Sequence, residues 1–444
     1  MTKSFRTDVT ANVQLPPEDA LLIRKITLRV VPFLFICYVV LFLDRINIGF
    51  AQLQMKHDFG FTDTMYGLGA AMFYAGYVLC ELPSNMLLAR FGARKTFSRI
   101  MLLCGIVSTC MIFVSTSAAY YVLRFMLGVF EAGSFPGILL YITYWFPANR
   151  RAAMISVFIA GVALAGVVGG LFSGWIMRDM AGVLGLFGWQ WMFAFEGLPA
   201  VVLGLIAWWT IVDSPAHATW LSEAERGRLN EMLNPPEPEE QVRPGLGPVV
   251  ANPKVYLFAF VYFSLTCASL TLNFWLPLII RDFGVRDLVL ISLFSAIPNA
   301  IGVVGLVVIS KHSDRTNERR RHFAFCAIGG AAAFGTLTLH VGSLALMLGC
   351  LSVACALIYA ALPIFWAVPS TQFPKHQAAP SIALISSIGI TSGIVSPWAI
   401  GVVRTHTGTI DDAIYILMVL LVLSSVALLA GVRSTNHGRP RSSA

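Results

Sequence analysis

Charged side chains are scarce in this sequence. Asp, Glu, Lys and Arg together make up 12% of the 444 residues, whereas 57% of the residues are hydrophobic. One soluble core cannot bury so much apolar surface, which excludes an ordinary soluble globular protein. Long uncharged runs are instead typical of helices that cross a membrane, each of roughly 20 residues. The composition therefore predicts an all-α integral membrane protein.

The sequence also lacks the short patterns that mark many enzymes and metal proteins. No HExxH, GxSxG or CxxC is present, and the eight cysteines lie within apolar runs, where they pack as small hydrophobes. The polar segment 1–20 lacks the apolar core of a signal peptide. We therefore predict a non-enzyme without cofactor or metal site, with a cytoplasmic N-terminal tail.

About twelve apolar runs are long enough to span a bilayer. Their approximate limits are 27–49, 66–88, 97–115, 119–144, 152–177, 189–212, 252–280, 288–310, 323–340, 343–367, 379–403 and 412–432.

Basic residues are concentrated in alternate loops. The other set of loops carries only Lys56, Arg178, Arg281, Arg286 and Arg404. The positive-inside rule places the basic loops, and with them both termini, in the cytoplasm. The net charge of +8 thus reflects topology, and we expect no nucleic-acid partner.

One long polar loop divides the chain. We predict a cytoplasmic N-terminal tail at 1–26, a six-helix bundle at 27–212, a cytoplasmic linker at 213–251, a second bundle at 252–432 and a cytoplasmic C-terminal tail at 433–444. Transporters built from repeated halves show this twofold division.

A basic loop follows the second span of each half. The segments 85–95 and 310–321 resemble two copies of the loop signature of the major facilitator superfamily, although the first has Ala89 where an acid is usual. We predict that the loops form a cytoplasmic gate, because tight turns can present arginines to helix C-termini and carboxylates. Ordinary topogenic loops are the alternative. The expected gate residues are Arg90, Gly92, Arg94, Asp314, Arg315 and Arg319.

Six further strings resemble a narrower group, the anion:cation symporter family: 43–48, 81–85, 124–133, 195–200, 273–277 and 365–370. The resemblance covers roughly residues 25–432. The anion:cation symporter family includes bacterial permeases for tartrate, sugar acids, phthalate and hydroxyphenylacetate. The resemblance implies the major facilitator fold, with about twelve transmembrane helices in two six-helix bundles, and uptake of an organic anion with protons.

Two pairs of ionisable residues lie inside predicted spans: Asp44 with Arg45, and Arg124 with Glu131. Each of these residues costs about 2.5–3.5 kcal/mol to insert, so intramembrane charges usually serve function. Helix rise places Asp44 and Arg45 roughly 8 Å below the outer surface, with Arg124 at a similar depth and Glu131 roughly 18 Å in. The four charges can therefore line one path.

Chemistry suggests a role for each charge. Arg45 stays ionised and can hold a carboxylate through two parallel hydrogen bonds, so we predict that it anchors the substrate. A desolvated carboxyl group can bind a proton near neutral pH, which indicates Asp44 and Glu131 as proton carriers tuned by Arg124. Static ion pairs holding helices together are the alternative. For Glu196, before Gly197 and Pro199, we favour a structural role at a helix kink.

The family resemblance implies further substrate-binding residues: Tyr77, Asn273, Trp366 and Ser370. For Trp366, packing against lipid or another helix is an equal alternative. Ile390 follows Ser387-Ile388-Gly389, where hydroxy-acid carriers of the family commonly have asparagine. This apolar residue favours a less hydroxylated or aromatic carboxylate.

We therefore predict a secondary active transporter that takes up a small carboxylate with protons by alternating access. Its expected place is the bacterial inner membrane, as a multi-pass protein and a monomer, whose partners are the organic anion, protons and the lipid bilayer. An exporter or antiporter of the same superfamily and a membrane receptor are the alternatives.

Overall fold

A computed structural model describes residues 16–233, 246–316, 318–339, 342–373 and 375–432. Within these ranges the regular secondary structure is helical, so the predicted all-α class is confirmed. Residues 1–15 of the predicted N-terminal tail, 234–245 of the linker, Asn317 of the second basic loop and the C-terminal tail 433–444 lie outside the described residues.

Among the described residues, eight α-helices precede the linker 213–251, and α9 is the first of two short α-helices within it. They are α1 (Pro17–Ile46), α2 (Ile48–Asp58), α3 (Asp63–Phe91), α4 (Ala93–Cys110), α5 (Ser117–Glu131), α6 (Ser134–Trp145), α7 (Ala148–Asp179), α8 (Gly188–Thr210) and α9 (Glu223–Leu233).

Nine more described α-helices come after α9, and the first of them, α10, is the second short α-helix of the linker. They are α10 (Leu246–Val250), α11 (Pro253–Asp282), α12 (Leu288–Thr316), α13 (Arg319–Gly335), α14 (Leu344–Trp366), α15 (Pro369–Gln372), α16 (Lys375–Gly389), α17 (Ser392–Thr407) and α18 (Asp411–Gly431).

Within the described residues, eleven helical stretches are long and apolar enough to cross a membrane. The remaining long helix, α3, has 29 residues and packs against α5 and α17 within the same arrangement. Polar residues such as Glu81, Ser84 and Asn85 reduce its mean hydropathy. The prediction of about twelve transmembrane helices is confirmed.

Two of the spans before the linker are broken at the depth of the predicted site. The helical hydrogen bonding of the first is interrupted at Asn47, between α1 and α2, where the backbone angles stay helical, and the fourth leaves the helical conformation at Ala132 and Gly133, directly after Glu131. Gly133 adopts a left-handed conformation with φ 81°, which glycine reaches without steric cost. Ala132 is fully buried, as an interrupted helix inside a membrane requires.

Among the described residues, the two halves contact each other mainly through three helix pairs, α3 with α17, α7 with α12 and α2 with α11. Small residues allow the close approach: a side chain at Gly67 would meet the Pro397 carbonyl, and one at Gly174 would meet Leu288 and Ser292. The Ser292 hydroxyl also accepts a 2.8 Å hydrogen bond from the Gly174 amide, which joins α7 and α12 directly.

The two ends of the bundle differ in charge and in contact. We call the end that carries Arg94, Arg150 and Arg319 the basic end, and the opposite end, at Asp63 and Arg404, the far end. Ten of the twelve buried residues of α3 lie in 63–77, its part nearest the far end. In the part toward the basic end, Leu79, Leu82 and Met86 are 66–71% exposed. The close contacts between the halves thus lie toward the far end.

Candidate functional site

A buried ion pair lies near the middle of the bundle. The Arg45 guanidinium donates to Glu131, and the two residues are 7% and 1% exposed. Arg45 precedes the end of α2 by 13 residues, and Glu131 follows the start of α5 by 14. At 1.5 Å per residue both lie roughly 20 Å from the far end, so their depths match.

This depth corrects the expectation for the first span. The sequence-based estimate of roughly 8 Å for Asp44 and Arg45 assumed that the span ends near residue 50. The helix instead continues as α2 to Asp58 and forms part of one apolar stretch, Glu18–Asp58. Asp44 and Arg45 are therefore deep in the bundle, while Arg124, only seven residues into α5, lies nearer the far end.

Aromatic rings surround the Arg45 guanidinium. The ring centres of Phe42, Phe73, Tyr74 and Tyr77 lie 5.1–5.8 Å from its central carbon. Cation–π attraction at these distances stabilises the charge in a site almost without water. The structure thus brings together Arg45, Glu131 and Tyr77, which the sequence had indicated separately.

Arg124 is fully buried, and its described hydrogen bonds go to backbone carbonyls. Its two terminal nitrogens lie 3.4 Å from the carbonyl oxygens of Asp44 and Arg45, and Phe73 stacks 5.3 Å from its central carbon. The guanidinium thus lies beside the point where the first span is interrupted. It holds that backbone in place, a contact that spacing along the chain does not reveal.

Asp44 faces a different neighbour from Arg45. Its Oδ1 accepts a 2.7 Å hydrogen bond from the Ser108 hydroxyl of α4, and its Oδ2 has no hydrogen-bond partner. Consecutive residues of a helix point about 100° apart, so Asp44 and Arg45 lie on different sides of α1. The two adjacent charges therefore do not share one pocket.

The half after the linker contributes polar, uncharged groups. Tyr359 donates a 2.9 Å hydrogen bond to Asn299 and a longer one, 3.5 Å, to the Asn273 amide oxygen. Trp366 packs edge-on against Tyr262 at 4.7 Å between ring centres. Asn273 and Trp366 thus lie in polar and aromatic clusters of this half, and the side chain of Ser370 lies outside the described residues.

An ion-pair cluster that sequence reasoning missed joins the halves at the far end. Arg404 of α17 donates to Asp63 of α3 at 3.0 Å and pairs with Asp282 of α11 at 2.5 Å. Beside it, the Thr64 hydroxyl donates to Thr405 at 2.7 Å. The sequence signal for this cluster was Arg404 itself, a basic residue inside an apolar helix. Its acidic partners, Asp63 and Asp282, are distant in the chain.

The first basic loop closes within its own half. Gly92 has φ 88°, and a side chain there would meet the Asp213 carboxylate. That carboxylate accepts a 2.8 Å hydrogen bond from the Arg94 amide, while the Arg94 side chain donates to the Ile211 carbonyl at 3.0 Å. Asp213 thus supplies the acid that position 89 lacks. Arg90 is exposed at the end of α3.

The second basic loop also forms its described contacts locally. Asp314 pairs with Arg319 across the turn between α12 and α13, and Arg315 is exposed at the end of α12. The predicted gate residues therefore form two separate clusters in this conformation, one in each half, at the basic end.

A fold of two helical halves around buried charges defines a membrane transporter. The family model of the Major Facilitator Superfamily matches residues 34–397. The chain belongs to this superfamily, as its loops predicted. It is a transporter and not an enzyme.

Relatives with similar sequences carry several transport functions. A protein described as a candidate tartrate transporter, from Agrobacterium vitis, is 41% identical, covering 92% of this chain and 94% of its own. The metabolite transport protein NicT of Pseudomonas putida is 39% identical, with 92% and 94% covered. A quinolone resistance transporter of Acinetobacter baumannii is 37% identical, with 91% and 93% covered.

The fold matches solved structures of the same architecture. The xylose transporter XylE of E. coli, in a partially occluded inward open conformation, aligns with a TM-score of 0.73 at 16% identity, covering 94% of this chain and all of that one. The predicted major facilitator fold is confirmed.

Proposed function

We propose that this protein takes up a small organic anion with protons across the bacterial inner membrane by alternating access. The observation that carries the proposal is the buried pair Arg45–Glu131, near the middle of the bundle. A guanidinium there can exchange its carboxylate partner for a substrate carboxylate, because both offer two oxygens to the same fork of donors.

This exchange provides a coupling mechanism. While Arg45 holds Glu131, the site is electrically balanced without substrate. When a substrate carboxylate binds Arg45 in place of Glu131, Glu131 loses its counter-charge in a buried site. A carboxyl group in that position binds a proton more readily, so anion and proton enter together. Asp44, whose Oδ2 is unpartnered, is the second proton carrier of the proposal.

Alternating access needs the halves, taken as 27–212 and 252–432, to rock about this central site. We place the basic end in the cytoplasm by the positive-inside rule. The arrangement described here, closed at the far end by Arg404 and Asp63, is then inward-facing. Reopening toward the outside requires that ion pair to break and the halves to approach at the basic end.

Aromatic side chains around the site favour a flat or weakly hydroxylated carboxylate. Tyr77 faces Arg45, and Tyr262 packs with Trp366 in the opposite half. Ile390 packs against the apolar core next to this region. The tartrate and metabolite relatives support an organic acid as the substrate class.

Uptake into proteoliposomes tests the proposal. With an inward proton gradient, wild type should accumulate a carboxylate uphill, and a protonophore should abolish the accumulation. Asp44→Asn and Glu131→Gln should each lower proton-driven accumulation yet retain exchange of labelled for unlabelled anion. Full proton-driven accumulation in both variants contradicts the mechanism. Glu81→Gln, a half-buried acid of α3, is the matched control.

A panel of tartrate, a sugar acid and an aromatic carboxylate sharpens the substrate class. Preference for the aromatic acid supports the reading of Ile390. Strong sugar-acid uptake without aromatic-acid uptake reverses it.

Proton-driven export is the second candidate, because the quinolone resistance transporter is 37% identical over nearly the whole chain. The same ion pair would then exchange drug or anion against protons. Reversing the gradient distinguishes the two: an exporter accumulates its substrate against the proton flow, and a symporter does so with it.

A further inference from the structure

A second polar cluster lies on the other side of α1 from Arg45. It consists of Asp44, Asn47 and Glu196, which are 1%, 1% and 5% exposed. Each carboxyl group has one oxygen held by a serine: Ser108 of α4 donates to Asp44 at 2.7 Å, and Ser173 of α7 donates to Glu196 at 2.9 Å. Four helices thus enclose the cluster.

The inner atoms of this cluster have no partner. The second carboxylate oxygens, Asp44 Oδ2 and Glu196 Oε2, and both polar atoms of the Asn47 amide make no hydrogen bond of normal geometry, although the amide is close enough to the Glu196 carboxyl to interact with it. Asn47 lies next to the Glu196 carboxyl, which also feels the charge of Asp44. A buried polar atom left unpaired costs about 1–3 kcal/mol. Four such atoms side by side indicate a place for something that pairs them.

Charge accounting points to a cation. Apart from Asp19 and Asp63, which lie at helix starts and pair there, this half holds three buried acids, Asp44, Glu131 and Glu196, and two buried bases, Arg45 and Arg124. Arg45 neutralises Glu131, and Arg124 lies against the carbonyls beside Asp44. One negative charge remains. Two carboxylates that share a site without enough positive charge hold a proton between them.

We infer that Asp44, Asn47 and Glu196 form a second proton site, separate from the Arg45–Glu131 pair. A proton on either carboxyl turns it into a donor, the Asn47 amide accepts from it and donates to the other, and the three unpaired groups become a closed chain. Ser108 and Ser173 each hold one oxygen of a carboxyl group, which leaves the other oxygen free to bond within the site.

The groups that face this site come from every neighbouring helix. Besides the three members, α4 contributes Ser108 and Cys104, and α7 contributes Ser173. From α5, Arg124 and Glu131 act on Asp44 through their charges. Because Arg124 is shared between Asp44 and the backbone of the ion-pair site, the two sites can respond to each other.

Glu196 therefore has a different role from the structural one expected at a helix kink. Its described hydrogen bond goes to Ser173 of another helix, rather than to the loosened backbone near Pro199. Two proton sites in one half predict that more than one proton accompanies each anion. This inference rests on the proposed proton-coupled function and adds Glu196 and Asn47 to it.

The test measures the number of protons per anion in proteoliposomes at zero membrane potential. Each coupled proton changes the accumulation ratio about tenfold per unit of pH gradient, since a pH unit contributes 2.303RT. Wild type should follow about two protons per anion, and Glu196→Gln should lose one, so its accumulation falls about tenfold at a gradient of one unit. Glu81→Gln should follow wild type.

Four outcomes separate the possibilities. A Glu196→Gln variant with the wild-type ratio overturns the second site and leaves the proposed function intact. Absence of proton-driven uptake in wild type overturns both. Uptake driven by a sodium gradient at constant pH overturns the assignment of the site to protons. Loss of one proton in Glu196→Gln, with binding retained, supports it.

If Glu196→Gln is not recovered folded, Ser173→Ala carries the test. It keeps both carboxyl groups and removes the hydroxyl that donates to ionised Glu196. If Glu196 binds a coupled proton, the pH at which proton-driven uptake is half-maximal should then shift. An unchanged pH profile, with normal anion binding, identifies Glu196 as a structural residue and overturns the inference.

Discussion

The two halves have the same type of fold but different interiors. Before the linker, seven charged residues are buried among the described residues: Asp44, Arg45, Arg124, Glu131 and Glu196 inside the bundle, and Asp19 and Asp63 at the starts of α1 and α3. After the linker, the charged residue that is buried among the described residues is Arg404, at the far end. The interior of that half is otherwise built from serines, amides and aromatic rings, such as Asn299 and Tyr359.

This difference separates two tasks of a transporter. Charges in a water-poor site can exchange partners with protons and anions, so the first half suits energy coupling. Neutral hydroxyl, amide and aromatic groups recognise shape and hydrogen-bonding pattern, so the second half suits selection of the substrate. The far-end cluster connects the tasks, because Arg404 of one half meets Asp63 of the other.

Substitution of Arg45 is the most direct test of the half that contains the buried charges. Arg45→Gln removes charge-assisted hydrogen bonds worth about 1.5–3 kcal/mol, so anion binding should weaken roughly 10- to 100-fold. Arg45→Lys should recover part of it, since lysine keeps the charge but not the fork. Isothermal titration of the purified protein measures the effect.

Removing both partners of the ion pair separates binding from stability. Arg45→Gln alone leaves Glu131 buried and unpaired, which destabilises a fold by about 3–5 kcal/mol. Combining Arg45→Gln with Glu131→Gln should restore the thermal midpoint but not anion binding. Recovery of binding in the double variant contradicts the anchor role.

The far-end cluster should control which side is closed. Arg404→Gln leaves Asp63 buried without this partner and should shift the equilibrium toward opening at the far end. An Ala70→Cys reporter, on the face of α3 that carries Gly67 and Tyr74, should then react about tenfold faster with an impermeant maleimide, a shift of about 1.4 kcal/mol.

Arg178→Gln is the matched control for the far end, because Arg178 is half-exposed and pairs with its neighbour Asp179. Equal labelling of Ala70→Cys with and without Arg404→Gln shows that the cluster does not hold this end closed.

Substitutions in the half after the linker should have the smallest effect, and they should change substrate affinity rather than proton coupling. Tyr359→Phe removes hydrogen bonds to Asn299 and Asn273, worth about 0.5–1.5 kcal/mol each, so the apparent KM should rise roughly 2- to 10-fold. The number of protons per anion should not change. Tyr415→Phe is the control, because Tyr415 is an exposed tyrosine of α18. A changed number of protons per anion in Tyr359→Phe contradicts the assignment of coupling to the first half alone.

Local patterns were sufficient for much of the fold. The limits of the predicted spans agree with the helices within a few residues for most runs, because a membrane helix satisfies its own backbone and needs only an apolar segment of the right length. The first span is the exception: the polar residues Gln52, Gln54 and Lys56 end the apolar run, but the helix continues to Asp58 because Gln52 and Lys56 both bond Asp63.

The sequence by itself determined the class of protein, the positions of the spans and the presence of intramembrane charges, because the cost of placing each residue in a membrane depends on that residue and its near neighbours. Tertiary structure alone decided the partners. Arg45 meets Glu131 rather than Asp44 beside it, Asp63 meets Arg404 across the halves, and Glu196 meets Ser173. A pairing between distant residues depends on how helices pack and rotate, which no local property of the chain specifies.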